Sequence, residues 1–233
     1  MNKTMARNIG LAALAVMLAL GGCTVLAPQK DVTRFFVLMP LQDGAAPSPA
    51  AGAASRPLTI GLGPITIPAY VNRPEVVTRI SDSELRMSDT DRWGERLDTN
   101  VARVLATDLA GQLGTPEILS YPWRTHAPID YAVSVAFQRF ERTADGHVVM
   151  QANWTIRNGN DDRTIQTGST TIKDGSGPDN ASAAQALSRG LAQVSHDIVQ
   201  VIASRPVPQP AAADRGDGSA RLALHCSDHT DCP

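Results

Sequence analysis

The 233-residue chain has a formal net charge of −2, and only 4% of its residues are aromatic. That balance removes any electrostatic case for nucleic-acid binding, which needs a basic face. The length suits one domain with a substantial core, and aliphatic side chains must fill most of it.

Residues 1–22 read as a leader that is removed. Lys3 and Arg7 form a positive start, and Ile9 to Leu20 is an uncharged apolar run. The run is shorter than the ~20 residues a spanning helix needs. It ends in Leu20-Gly21-Gly22-Cys23, which resembles the bacterial lipobox, where the cysteine is acylated and the chain is cut before it. One acyl chain holds a protein weakly, whereas two or three make dissociation negligible. Thr24 stands where an Asp would retain such a protein in the inner membrane, so this pattern favours the outer membrane, facing the periplasm. Losing Lys3 and Arg7 takes the mature balance from −2 to −4.

Residues 23–32 are expected to tether a domain spanning 33–205. Arg34 to Met39 reads as a short strand ended by Pro40. Residues 43–57 are rich in Ala, Pro, Ser and Gly and predict a flexible insertion loop. Leu58 to Leu62 restarts a strand, and Gly61 and Gly63 suggest a bulge or a close backbone approach. Pro64, Pro68 and Pro74 then punctuate a stretch where a sheet ladder must stop or run along an edge. In that stretch Arg73, Arg79 and Arg92 surround Tyr70 and Trp93, with Glu75 and Glu95 as carboxylate partners. A guanidinium can stack on a ring and still bind a carboxylate.

Val76 to Ile80 and Leu85 to Met87 predict a hairpin. A helix is expected from about Arg92 to Leu113, because Leu97, Val101, Val104, Leu105, Leu109 and Leu113 share one face. Asp91 is placed to cap it, Glu95 to suit its positive end, and Gly114 with Pro116 to stop it. Tyr121-Pro122-Trp123 offers a second exposed aromatic pair. Tyr131, Val133, Val135 and Phe137 alternate with smaller or polar residues, Asp145-Gly146 turns the chain, and Val148, Met150, Ala152, Trp154 and Ile156 alternate again. Arg163 to Lys173 reads as a threonine-rich strand with a face for solvent or a partner. A last helix, about Asp179 to Ser204, places Ala184, Leu187, Leu191, Val194, Ile198, Val201 and Ile202 on one side. Residues 206–233 read as a disordered tail. The expected fold is α+β, one domain, with a mainly antiparallel sheet and two helices packed on one face.

Chemistry is thin. His126, His147 and His196 are scattered, Ser176 lacks the strand–turn–helix context of a nucleophile elbow, and Asp161 and Asp162 are neighbours in a turn. No cofactor and no metal is expected. His225, Cys226, His229 and Cys232 do not have a standard zinc spacing. Cys226 and Cys232 are candidates for a disulfide, or stay as free thiols.

Several of these blocks together resemble the PqiC-type auxiliary lipoproteins of ABC transport systems. They are the lipobox, Ile67 to Pro74 with Val77-Thr78-Arg79, Arg92-Trp93-Gly94-Glu95, Tyr121-Pro122-Trp123, and Phe140-Glu141 before Asp145-Gly146. The resemblance runs from about Thr33 to Ser204. The chain departs from it at Val71, Glu75 and Trp93-Gly94-Glu95-Arg96-Leu97, where the family has leucine, glutamine and Trp-Ala-Glu-Pro-Leu. The resemblance implies a non-enzymatic subunit anchored through Cys23 in the outer membrane. It would dock an MCE-domain lipid-transport protein, working with an ABC permease and ATPase, and so support outer-membrane integrity. Tyr70, Arg73, Arg79, Arg92, Trp93, Glu95, Tyr121 and Trp123 are then candidates for partner binding or for defining the fold. Self-association into a homo-oligomer is a further implication. A stand-alone lipid carrier and a periplasmic hydrolase are the rival classes.

Overall fold

Alternation of apolar residues decides the longest strands, and three-to-four-residue periodicity decides the helices. The computed structural model describes residues 31–41, 58–114, 117–123, 128–175, 177 and 179–206. In chain order it contains β1 (Arg34–Phe36), β2 (Ile60–Thr66), β3 (Glu75–Arg79), β4 (Leu85–Trp93), α1 (Leu97–Leu113) and β5 (Ile118–Ser120). β6 (Tyr131–Thr143), β7 (His147–Asn158), β8 (Thr164–Gly175) and α2 (Asn180–Ala203) complete it. The leader, the tether up to residue 30, the 43–57 loop and the tail from 207, with Cys23, Cys226 and Cys232, lie outside the described residues.

β6 joins everything. One edge pairs in parallel with β2 through residues 131–136, then with β3 at Arg142 and Thr143. The other edge pairs antiparallel with β7, which pairs antiparallel with β8. β5 adds to β2 in parallel, β4 to β3 antiparallel, and β1 to β4 in parallel. The α+β class and the two helices match the sequence expectation. The sheet is mixed, which corrects the mainly antiparallel one expected. Parallel partners lie far apart in sequence, so no local turn announces them.

The inward alternation of β6 and β7 is as expected: Tyr131, Val133, Val135 and Phe137 are buried, as are Val148, Met150, Ala152, Trp154 and Ile156. Leu97, Val101, Val104, Leu105 and Leu109 of α1 and Leu187, Leu191, Val194 and Ile198 of α2 join them in one core. Each such side chain stabilises the fold by ~1.5–3 kcal/mol. Trp154 fills the space over Gly168, where a Cβ would lie 2.2 Å from the indole. Asp179 caps α2 by accepting from the Ser182 amide at 2.7 Å. Gly114 ends α1 in the left-handed conformation, φ 65°.

Two local expectations fail together. β4 runs on through Asp91, Arg92 and Trp93, and α1 begins only at Leu97, with no side-chain cap. Asp91 is engaged elsewhere. Its carboxylate accepts two bonds from Arg34, each 2.8 Å, and one from Asn180 Nδ2 at 2.7 Å. Those contacts tie β1 and the start of α2 to β4. Pro68 and Pro74 lie between β2 and β3, where the ladder stops as expected, and the sheet edges fall at β1, β5 and β8. Pro64 sits where the β2–β6 register shifts, between Leu62 and Ile65.

Candidate partner-docking surface

The central stretch divides into a buried half and an exposed half. In the buried half, the parallel pairing of Thr78 with Arg142 and Arg79 with Thr143 sets the end of β3 beside Glu141. The Glu141 side chain is 0% exposed. Arg79 donates to it from Nε at 2.5 Å and from Nη2 at 3.1 Å, and Arg139 from Nε and Nη2 at 2.9 and 2.8 Å. The Arg79 guanidinium lies 5.4 Å from the centre of the Tyr70 ring. Burial pushes the Glu141 carboxyl up, but hydrogen bonds from Arg79, Tyr70 and Arg139 outweigh it and hold the group below its usual range. Burial, then Glu141, raises the Tyr70 hydroxyl. A carboxylate tied to two arginines and a tyrosine, with no open face, is a structural clasp.

In the exposed half, Glu75 bridges Arg73 Nε and Arg92 Nη1, both at 2.8 Å. Those two guanidiniums hold the Glu75 carboxyl down at about 2. Glu95 precedes α1 and accepts from Arg103 Nη2 at 2.6 Å. Trp93 is a core side chain, buried with Leu97 and Phe140, so it defines the fold and is not the exposed aromatic the sequence suggested. Tyr121 is 55% exposed and meets Trp123 edge to face at 5.5 Å. Trp123 is half-buried, donates from its indole nitrogen to the Leu119 carbonyl at 3.0 Å, and lies against Gly61. A Cβ at Gly61 would sit 2.7 Å from that ring, and one at Gly63 (φ 126°) 2.5 Å from Tyr121 Cβ. The close backbone approach expected of these glycines is present, together with the bulge. Tyr121 borders an open groove of about 550 Å³ between β2 and α1, lined also by Pro64, Thr99, Ala102 and Ala106.

The eight candidates are therefore not one patch. Tyr70 and Arg79 belong to the clasp and Trp93 to the core. Arg73 and Arg92 share Glu75, Glu95 pairs with α1, and Tyr121 with Trp123 forms a separate aromatic corner. Sequence reasoning quoted Phe140-Glu141 for the family resemblance but did not count Glu141 as a site residue; the structure buries both, which breaks the alternation of β6 just past its bulge. Sequence reasoning also missed Asn100, whose 1% exposure in a helix marks a polar side chain with a fixed partner. Among the described residues, no three His, Cys, Asp or Glu side chains converge on a possible metal position, and no helix is long and apolar enough to cross a membrane.

A family model described as the ABC-type transport auxiliary lipoprotein component matches residues 40–199. The chain belongs to that family. This auxiliary lipoprotein is thus an envelope protein held at a membrane, serving as a component beside an ABC-type transporter. Its fold is shared with an uncharacterized protein of known crystal structure, 20% identical, with a TM-score of 0.56; the match covers 73% of this chain and 99% of the other. It is also shared with a DUF330 protein from Xanthomonas campestris, 15% identical, with a TM-score of 0.55, covering 73% and 96%. Among curated proteins nothing matches the chain.

Proposed function

We propose that this auxiliary lipoprotein is a PqiC-like, non-enzymatic docking subunit of an MCE-type ABC lipid transport system. In this reading Cys23 carries the acyl chains and holds the domain at the periplasmic face of the outer membrane. The domain engages the outer end of an MCE-domain protein, whose permease and ATPase lie in the inner membrane, and the assembly supports outer-membrane integrity. The docking face is the exposed half of the central stretch, Arg73, Glu75 and Arg92, together with Tyr121, since arginine and tyrosine are enriched at interface hot spots.

The observation that carries this over a lipid carrier is how little space lies in the core cavity among the described residues. The cavity bounded by Val71, Trp93, Phe140 and Leu187 holds about 10 Å³. A ligand site for a lipid needs roughly 300 Å³ or more. The groove beside Tyr121 is large enough but open, and its lining includes Asp98, Arg103 and Thr107, which suits a protein segment better than an acyl chain. For the hydrolase reading, the buried carboxylate of Glu141 is already saturated by arginines. Self-association remains part of the proposal, and β8 offers a twelve-residue edge for it.

The test is crosslinking in membranes followed by recovery of the full-length lipoprotein. An MCE-domain protein in the wild-type sample, reduced at least tenfold by Tyr121→Ala with Arg92→Ala, supports docking. Recovery of the lipoprotein alone overturns it.

A further inference from the structure

The segment after β1 exposes an apolar row. Phe35, Val37, Met39 and Leu41 are 66%, 44%, 56% and 40% exposed, while Leu38 between them is 0% exposed. Such a row usually relaxes by turning inward. Here it is pinned. Asn100 of α1 accepts from the Leu38 amide at 2.7 Å and donates back to the Leu38 carbonyl at 3.1 Å. Ser188 of α2 accepts from the Met39 amide at 3.1 Å, and the Phe36 carbonyl accepts from the Gly94 amide at 2.7 Å. Two buried polar side chains and one amide therefore fix this backbone with Leu38 inward and its neighbours outward. Neighbouring exposed apolar side chains on a soluble domain mark a place that something covers.

Three observations say what covers it. Phe35 lies twelve residues after Cys23, and twelve extended residues reach at most ~40 Å. A chain acylated at Cys23 thus keeps this row near the bilayer surface. The exposed side chains are long and apolar, suited to the acyl boundary. Val32, nearer the anchor, is 61% exposed as well, so the apolar row continues toward the tether.

We propose that Phe35, Val37, Met39 and Leu41 seat the domain on the phospholipid surface to which it is anchored. The domain then rests on the bilayer in one orientation instead of swinging from its tether. This rests on the acyl anchor at Cys23, but not on the identity of the transport partner.

The test places a photoreactive p-benzoylphenylalanine at Phe35 or Met39 of the full-length protein in cells, with Thr167 on the far strand β8 as the control. All three positions are exposed, so the replacements leave the packing intact. After irradiation, mass spectrometry should find phospholipid adducts at residues 35 and 39 at least tenfold above residue 167. Phe35→Asp with Met39→Asp should lower the adduct yield from a probe at Val37 by a similar factor. Adducts with a second copy or with another protein at 35 and 39, equal yields at all three positions, or no lipid adducts at 35 and 39 overturn the seating. Fatty-acid labelling of the same sample separates the two ideas. Labelled protein without adducts removes only the seating, whereas unlabelled protein removes the anchor beneath it.

Discussion

Two arginine–carboxylate triads draw on residues 73–92 of this protein, one of them completed by Arg139 and Glu141 from β6, and they differ in almost everything but composition. Arg79 and Arg139 surround the Glu141 carboxylate, which has no solvent exposure, and the Tyr70 ring lies against Arg79. Arg73, Arg92 and Glu75 make equally short contacts at the surface. The contact lengths do not tell them apart; burial does. A buried carboxylate that loses an arginine stays in a low-dielectric interior, whereas a surface one is rehydrated. The same residue types therefore lock the sheet at one place and remain available to a partner at the other.

The largest separation between the two should come from Arg79→Ala. It leaves Glu141 buried with Arg139 as its one remaining positive partner, beside Tyr70, and should lower stability by about 3 kcal/mol, read as a shift of the urea midpoint. Arg73→Ala with Arg92→Ala should leave that midpoint nearly unmoved. An equal loss from both variants would dissolve the distinction. Next in size is Asn100→Ala, which strips the Leu38 amide and carbonyl of their partner and should cost about 2 kcal/mol. It should also release the Phe35–Leu41 row, seen as faster amide exchange at Leu38.

Acid sharpens the comparison further. Glu141 is held below the usual ~4.3 of a glutamate in the folded state, so its contribution is complete above about pH 5. It is lost as pH falls through that value into the lower range of the folded group. Stability should fall on acidification, and Glu141→Gln should flatten that part of the curve. Glu75→Gln should flatten it less, because the exposed triad is screened by solvent and salt. The smallest effect on stability belongs to Tyr121→Ala, whose ring is mostly in solvent. Its consequence should appear in partner recovery instead.

Much of this was legible in the chain. The inward faces of β6, β7 and both helices follow directly from periodicity, and the stop at Gly114 from glycine's ease in the left-handed conformation. What was not legible depends on distance along the chain. Asp91 looks like a helix cap when only its neighbours are considered; Arg34 and Asn180, from opposite ends of the domain, recruit it into a strand instead. Trp93 looks like an exposed ring beside arginines, yet the strand carries it into the core. Glu141 has no local mark except a break in alternation, because two of its partners, Arg79 and Tyr70, come from residues about sixty and about seventy positions earlier. The candidate residues divide in the same way: sequence groups Tyr70 to Trp93, whereas burial and partners set Tyr70, Arg79 and Trp93 apart from Arg73 and Arg92.

The strand β2 has a further consequence. Its neighbours on either side are β5 and β6, both made after it, and neither hairpins back onto it. A chain emerging from its N-terminus therefore carries Ile60 and Leu62 uncovered until Ile118 and then Tyr131 have followed. β3 and β4 can zip together at once, and β6 to β8 likewise. A pause in synthesis between residues 66 and 118 prolongs the interval in which this one segment is open to wrong pairing, while the same pause after residue 143 does not.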